Sequence, residues 1–252
     1  MRTHIVVFPG SNCDHDAMHA VKNVLGEHDT EFVWHKDDSI GKNVDLVILP
    51  GGFSYGDYLR TGAIAKFSPV MKDVIRFANN GGMVLGICNG FQVLCESGLL
   101  PGVLIRNAGL KFACKEVNLR VDRSERFTGD IPEGTILRIP IAHGEGHYIA
   151  DDEVIADLER NNQVMFRYVD SIGNPTSEAN PNGSINNIAG IISKDKNVMG
   201  LMPHPERACE AMLGSADGLK IFQSLCSWFA IQSSKEFATE RREVSSREAV
   251  PI

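Results

Sequence analysis

The first hundred residues alternate short apolar runs with amphipathic segments. The strand-like runs cover residues 3–9, 30–34, 45–49 and 83–85. Between them, apolar positions recur at helical spacing after Asp14 or Asp16, and again after Ser68-Pro69, which predicts two helices. Because alternating strands and helices favour a parallel sheet covered on both faces, we expect an α/β fold.

Beyond about Ala113 the pattern changes to segments typical of antiparallel strands. These segments cover residues 117–122, 135–142, 164–170 and 188–193, and a last strand covers 198–202. We expect them to extend the same sheet, with an amphipathic helix near 219–229 closing the domain. Residues 233–252 are polar and charge-mixed, so we predict one domain over 1–232 and a flexible tail over 233–252.

The composition limits the partners and the compartment that we expect for this protein. With 252 residues and 43% hydrophobic content, the chain can bury a full core. The net charge of -7, without a basic cluster, argues against nucleic acid or an anionic membrane as the partner. No bilayer-length apolar stretch or signal peptide is seen, so we expect a cytoplasmic protein, and six cysteines without a Cys-x-x-Cys pair predict reduced thiols.

A candidate nucleophile stands in the segment Gly86-Ile87-Cys88-Asn89-Gly90. The order of strand, abrupt turn and short helix is that of a nucleophile elbow, in which a small residue two places either side lets the chain fold back sharply. The positive end of the helix dipole would also favour the thiolate form of Cys88. The alternative is a buried cysteine in an ordinary strand-to-helix turn.

A candidate base and its orienting acid follow the last predicted strand, in Pro203-His204-Pro205-Glu206. The prolines predict an extended segment, in which side chains two residues apart point to the same side. Glu206 could then orient the His204 ring toward Cys88, as in a catalytic triad. The alternative is a proline-stiffened loop with a surface histidine, but finding both motifs after strands favours catalysis.

A triad of this kind also needs donors for the negative oxygen of a tetrahedral intermediate. The candidates are the backbone amides of Gly52 and Phe53, which follow the third strand, and of Asn89, which starts the helix. An ordinary strand-ending turn is the alternative for the Gly-Gly segment. Ligands of parallel sheets gather at the carboxyl ends of the strands, so we expect these loops to meet in one crevice.

Other chemistry-bearing residues have plainer interpretations. The histidine pairs 143/147 and 15/19 have metal-ligand spacing, but the first is broken by glycines and the second suits a solvated face, so we predict no metal site. Cys13 and Cys95 lack an elbow, and we interpret both as structural. Tyr55, Asp57, Tyr58 and Arg60 lie in a long loop that is either plain surface or a lid or docking contact.

Taken together, these motifs resemble those of the class I (triad) glutamine amidotransferases, and within them the amidotransferase subunits of phosphoribosylformylglycinamidine synthases. The resemblance extends to about residue 231 and is carried by residues 8–14, 51–60, 86–92, 143–146 and 203–207. The elbow and His-x-Glu mark the class, whereas Phe-Pro-Gly-Ser-Asn and Gly-Gly-Phe-Ser-Tyr-Gly-Asp are more specific to the subunits. The resemblance implies a flavodoxin-like α/β domain with an antiparallel extension.

The resemblance also implies a reaction. Cys88 would attack the side-chain amide of glutamine, His204 would protonate the departing ammonia, and the γ-glutamyl thioester would be hydrolysed to glutamate. Gln92 would lie near the bound glutamine, and so would the loop from His143 to Gly146, which includes Gly144. Where some relatives have arginine or asparagine after that loop, this chain has His147.

The ammonia would pass to a large synthetase subunit, with a small accessory subunit, that converts formylglycinamide ribonucleotide to its amidine in purine biosynthesis. No phosphate-binding loop or dinucleotide fingerprint occurs in this chain, so ATP and Mg²⁺ are expected on the partner and no cofactor here. There are two alternatives. One is a cysteine hydrolase that acts alone on γ-glutamyl compounds, and the other is a non-catalytic glutamine-sensing subunit.

Overall fold

A nine-stranded mixed sheet forms the centre of the molecule. The computed structural model describes residues 1–57 and 60–248, with side chains to residue 234. The strands are β1 (Thr3–Val7), β2 (Thr30–Trp34), β3 (Leu46–Leu49), β4 (Met83–Ile87), β5 (Val103–Ile105), β6 (Ala113–Val121), β7 (Ile136–His143), β8 (His147–Ile149), β9 (Val164–Val169), β10 (Ile188–Ile192) and β11 (Val198–Leu201). The large sheet has the order β2-β1-β3-β4-β11-β10-β9-β6-β7, and β5 pairs with β8 separately.

The sheet has a parallel half and an antiparallel half, which confirms the predicted α/β class. Strands β2, β1, β3, β4 and β11 run parallel, and β10, β9, β6 and β7 continue from them in antiparallel pairs. Strands β3 and β4 are buried along their whole length, as their continuous apolar sequences require. Because β11 pairs with β4, a segment late in the chain ends beside the first candidate motif.

Five helices pack around this sheet within residues 1–57 and 60–248. They are α1 (Asp14–Met18), which continues as a π-helical turn over His19–Val24, α2 (Pro69–Asn79), α3 (Asn89–Glu96), α4 (Asp152–Arg160) and α5 (Leu219–Glu248). Pro69 opens α2, where its fixed φ suits the first helical turn, as predicted. Helix α3 packs against β3, β4 and β11 and so sits over the middle of the sheet.

Several elements differ from the sequence predictions. The short sheet of β5 and β8 and the helix α4 were not predicted: β5 and β8 have only three residues each, and α4 is a short helix that buries only Ile155 and Leu158. The backbone of α5 is helical through residue 248, which extends this helix well beyond the predicted 219–229, while the division into a domain over 1–232 and a flexible tail over 233–252 stays a prediction. Residues 249–252 of that expected tail lie outside the described residues.

All six cysteines are free thiols, in agreement with the predicted reduced state. Across residues 1–57 and 60–248, none of the helices is both long enough and apolar enough to span a bilayer.

Candidate active site

Cys88 occupies a sharp turn between β4 and α3. Its φ is 49° and its ψ is -102°, a strained conformation for a residue with a side chain, and its amide donates to the Leu201 carbonyl at 2.8 Å. A Cβ added to Gly86 would lie 2.5 Å from Leu94 Cδ1, and one added to Gly90 would collide with the Leu49 carbonyl. The turn therefore has the geometry of a nucleophile elbow, and the two flanking glycines make it possible.

His204 and Glu206 form a buried hydrogen-bonded pair. His204 Nδ1 and Glu206 Oε1 are 2.6 Å apart, and the residues are only 1% and 3% exposed. The expected extended segment is wrong beyond His204, because Pro205–Arg207 forms a 3₁₀ turn. Pro205 fits the start of such a turn, since its missing N–H would be unpaired there in any case. The turn still brings the two side chains together.

The charge of the His204 ring is set by its neighbours. Burial acts to lower the pKa of His204, but the Glu206 carboxylate and the Cys88 and Cys13 sulfurs hold it well above its ordinary value. Within the described part of the chain, His204 Nε2 has no hydrogen-bond partner. The ring can therefore carry a proton on Nε2 toward Cys88 while Glu206 holds Nδ1.

A second histidine lies on the neighbouring strand end. Burial and the nearby His204 lower the pKa of His143 to about 4, so His143 is neutral near pH 7. Asn182 Nδ2 lies 3.4 Å from His143 Nε2, and it donates to the Gly146 carbonyl at 2.8 Å. Gly146 leaves room for this ring, since a Cβ there would lie 2.5 Å from His143 Cε1.

The side-chain amide of Gln92 ties three parts of the site together. Gln92 Nε2 donates to the Glu145 carbonyl at 2.6 Å, and Asn89 Nδ2 donates to Gln92 Oε1 at 2.9 Å. Asn89 Oδ1 in turn accepts from the Ser54 amide at 3.3 Å. Gln92 thus lines the site, as expected, but its amide is already used to hold the loops in place.

The candidate oxyanion donors are narrowed by the hydrogen bonds of the loop after β3. The Phe53 amide donates to the Gly10 carbonyl at 3.0 Å, so the structure does not support it as a donor to an oxyanion. Gly52 has φ +135°, and a Cβ there would lie 2.7 Å from the Asn12 amide nitrogen. Asn89 is the first residue of α3, where amides lack partners inside the helix. Gly52 and Asn89 remain as the candidate pair.

An open cleft of about 260 Å³ lies in front of Cys88. Its lining comprises Gly52, Phe53, Asp57, Thr61, Cys88, Gln92, Arg106, Leu110, Lys111, Phe112, Ala142, His143, Gly144 and Glu145. The structure therefore places together the predicted nucleophile and the residues expected near the substrate. Phe53 contributes its ring, which stacks on Phe112 with centroids 6.4 Å apart.

The sequence alone gives little indication of which charged residues line the cleft. Burial, and to a lesser extent Glu145, raise the pKa of Asp57 to about 6. Glu145 accepts from the Thr61 hydroxyl and lies 3.6 Å from Arg106 Nε. The sequence marks Asp57 only as part of a loop, and Arg106 and Lys111 carry no local motif that would mark them. The Tyr58 of that loop lies outside the described residues.

One cluster in the site has donors suited to a metal ion. Cys13 Sγ, a His204 ring nitrogen and a Glu206 oxygen all lie within 4.8 Å of one another. However, His204 and Glu206 already bond to each other, and the Arg207 guanidinium lies 3.1 Å from Cys13 Sγ. A cation so close to the sulfur disfavours a second cation, so the absence of a metal stays a prediction.

Comparison with known proteins gives consistent matches. Residues 1–229 match the family of the CobB/CobQ-like glutamine amidotransferase domain. The chain is 56% identical over 231 residues to the PurQ subunit of phosphoribosylformylglycinamidine synthase from Salinibacter ruber, covering 91% of this chain and 97% of that protein. It is 58% identical over 227 residues to the PurQ subunit of Chlorobaculum parvum, covering 90% and 89%.

Two solved structures extend the comparison. The structure of PurLQS from Thermotoga maritima matches with a TM-score of 0.78 and 43% identity, covering 90% of this chain and 98% of that one. A glutamine amidotransferase from Thermotoga maritima matches with a TM-score of 0.52 and 17% identity, covering 98% and 91%, which supports the fold alone.

Proposed function

The chain belongs to the CobB/CobQ-like glutamine amidotransferase family, and from this premise we propose that it is the glutamine-hydrolysing subunit of a phosphoribosylformylglycinamidine synthase. It releases ammonia from glutamine for the conversion of formylglycinamide ribonucleotide to its amidine in purine biosynthesis. The observation that carries the proposal is the elbow of Cys88 on β4 beside the buried His204–Glu206 pair that follows β11.

The first half of the reaction forms a thioester. Cys88 Sγ attacks the side-chain carbonyl carbon of glutamine, and the negative charge on the carbonyl oxygen falls near the Gly52 and Asn89 amides. His204, protonated on both ring nitrogens, gives its Nε2 proton to the amide nitrogen, and the C–N bond breaks to release ammonia. Glu206 stabilises the protonated ring through Nδ1.

The second half of the reaction restores the enzyme. His204, now neutral, takes a proton from water, and the hydroxide attacks the thioester carbon. The C–S bond breaks, glutamate leaves, and the thiolate of Cys88 again faces a protonated ring. Because no step needs a metal or cofactor from this chain, ATP and Mg²⁺ are assigned to the synthetase partner, and a small accessory subunit completes the complex. The cytoplasmic location stays a prediction.

The cleft lining suits a free amino acid. Asp57 and Glu145 offer carboxylates to the α-ammonium of glutamine, while Arg106 and Lys111 offer cations to its α-carboxylate. Asp57 Oδ1 is buried and has no hydrogen-bond partner in the described ranges 1–57 and 60–248, whereas Glu145 is already engaged by Thr61. Asp57 is therefore the better candidate for the ammonium.

The experiment that tests the function compares the chain alone with the chain plus its synthetase partner. Glutamate release from glutamine should be slow alone and rise on adding the partner, ATP and formylglycinamide ribonucleotide. Acid quenching followed by intact-mass analysis should detect a glutamyl adduct on Cys88. A rate that is high without the partner would instead indicate a γ-glutamyl hydrolase that acts alone. Tight glutamine binding with no turnover would indicate a non-catalytic sensing role.

A further inference from the structure

The thiol of Cys13 touches the catalytic pair, yet no step of the reaction uses it. A Cβ added to Gly51 would lie 3.1 Å from Cys13 Sγ and 2.7 Å from His204 Cε1, so sulfur and ring both pack against this glycine. Cys13 comes from the loop after β1 and is 2% exposed. The absence of a side chain at Gly51 allows the sulfur to approach the ring.

Cys13 has a complete set of hydrogen bonds as a neutral thiol. Its sulfur donates to Asn12 Oδ1 at 3.2 Å and accepts from Arg207 Nη2 at 3.1 Å. Burial raises the pKa of Cys13, although the neighbouring His204 acts in the opposite direction. A protonated thiol offers one donor and one acceptor, and both are used here.

Arg207 is the residue next to Glu206, but its guanidinium is bound elsewhere. Arg207 Nε donates to Asp16 Oδ2 at 2.9 Å, and Nη2 donates to Cys13. Glu206 bonds to His204 through Oε1, and its buried Oε2 has no partner in the part of the chain described by the structure. A direct arginine–carboxylate pair is among the strongest charged hydrogen bonds, so a mobile Arg207 would compete for Glu206.

We propose that Cys13 is a positioning residue: its sulfur, together with Asp16, holds the Arg207 guanidinium away from Glu206, so that the Glu206 carboxylate serves His204 alone. The inference goes beyond the proposed function and rests on it, because it concerns the strength of the same His204–Glu206 pair. It also gives a role to the Phe-Pro-Gly-Ser-Asn-Cys-Asp segment, which the reaction itself leaves unused.

A consequence for pH dependence follows. The charged and titratable groups that act on His204 are Glu206, Cys88, Cys13 and His143. Arg207 and Cys209 interact in turn with Glu206. Without the Cys13 sulfur, Arg207 can turn to Glu206 and neutralise part of its charge, which lowers the pKa of His204. The thiolate–imidazolium pair needed for attack is then lost at a lower pH. The alkaline limb of the profile of kcat/KM against pH therefore moves to lower pH.

The test measures kcat/KM for glutamine against pH, with the synthetase partner present, in a set of variants. Cys13→Ala should lower kcat/KM about tenfold near neutral pH and move the alkaline limb down by roughly one unit. Cys13→Ser keeps a donor and an acceptor and should restore most of the activity. Cys114→Ser, at an exposed position on β6, is the matched control and should behave as the parent chain.

Two further variants keep the test decisive even where Cys13→Ala folds poorly. Asp16→Asn releases Arg207 from its other partner and should shift the profile in the same direction. Adding Arg207→Gln to Cys13→Ala should move the alkaline limb back toward its original pH, because no cation is left to reach Glu206, although the direct effect of the Cys13 sulfur on the pKa of His204 stays lost. An unshifted limb in Cys13→Ala and Asp16→Asn, or no recovery in the double variant, would overturn the proposal. Failure of the proposed function is distinguishable, because the parent chain itself would then be inactive.

Discussion

The two walls of the site differ in how firmly they are built. The catalytic wall carries Cys88, His204 and Glu206, which are 5% exposed or less and follow the strands β4 and β11. The facing wall, which we call the cleft wall, carries Phe53 and Phe112, which are 44% and 55% exposed. Its charged residues lie outside the strands and long helices; they are Asp57, Arg106, Lys111 and Glu145. The reacting groups are therefore held before glutamine arrives, whereas the groups that recognise glutamine stand partly in solvent. Chemistry and recognition should respond to substitution in different ways.

Removal of the nucleophile on the catalytic wall should have the largest effect on activity. Cys88→Ala is expected to lower glutamine hydrolysis by roughly 10⁶-fold, because no sulfur remains to form the thioester. The measurement is glutamate release with the partner present, together with intact-mass analysis for the adduct. Cys95→Ala, a buried cysteine on the same helix α3, is the matched control and should stay active. Normal turnover by Cys88→Ala would refute the assignment.

Removal of the orienting charge should have the next largest effect. Glu206→Gln keeps the size of the side chain but loses the charge that stabilises protonated His204 through the 2.6 Å bond. A loss of about 10⁴-fold in kcat is expected, with little change in KM, since Glu206 does not line the cleft. Steady-state kinetics with the partner test this. A loss of less than about tenfold would show that His204 works without the carboxylate.

The glycines of the two walls should differ in their effect on stability. Gly90→Ala sets a Cβ against the Leu49 carbonyl and should cost about 3 kcal/mol or more in the free energy of unfolding. For Gly144→Ala, the nearest atom to the new Cβ is 3.7 Å away, so the change should be within about 0.5 kcal/mol. Urea unfolding of both variants makes the measurement. Equal stabilities would contradict the steric account of the elbow.

The smallest expected effect concerns glutamine binding. The pKa of Asp57, raised to about 6, means that its carboxylate loses its charge as the pH falls below that value. The KM for glutamine should therefore rise as the pH falls through 6. Asp57→Asn should show a KM raised about tenfold and without this acid dependence, because one charged hydrogen bond is lost. Asp38→Asn, at an exposed position, is the control and should keep the parent profile.

The same contrast explains what could be predicted from the sequence. The parallel strands, the elbow of Cys88 and the His204–Glu206 pair are encoded by residues close together in the chain, so local patterns reveal them. The structure contains the expected His204–Glu206 pair although the segment is a 3₁₀ turn and not extended, because either geometry brings these two side chains together. Local rules therefore sufficed for the catalytic wall.

The cleft wall could not be predicted in this way. Arg106, Glu145 and Asp57 are far apart in sequence and meet only through the packing of separate loops. The hydrogen bond that occupies the Phe53 amide depends on the Gly10 loop lying against it. The helical backbone beyond residue 232 carries no apolar period that would have marked it. Each of these features depends on tertiary contacts that no local pattern specifies.

The pairing of β4 with β11 limits how such an enzyme can be switched on. The nucleophile follows one of these adjacent strands and the base follows the other, so the hydrogen bonds of the central sheet set their separation. Separating the two backbone segments would require local melting of strands that are buried along their whole length, and such openings are costly. A signal from a bound synthetase is therefore expected to travel through the exposed rim that admits glutamine, while the triad behind it stays assembled.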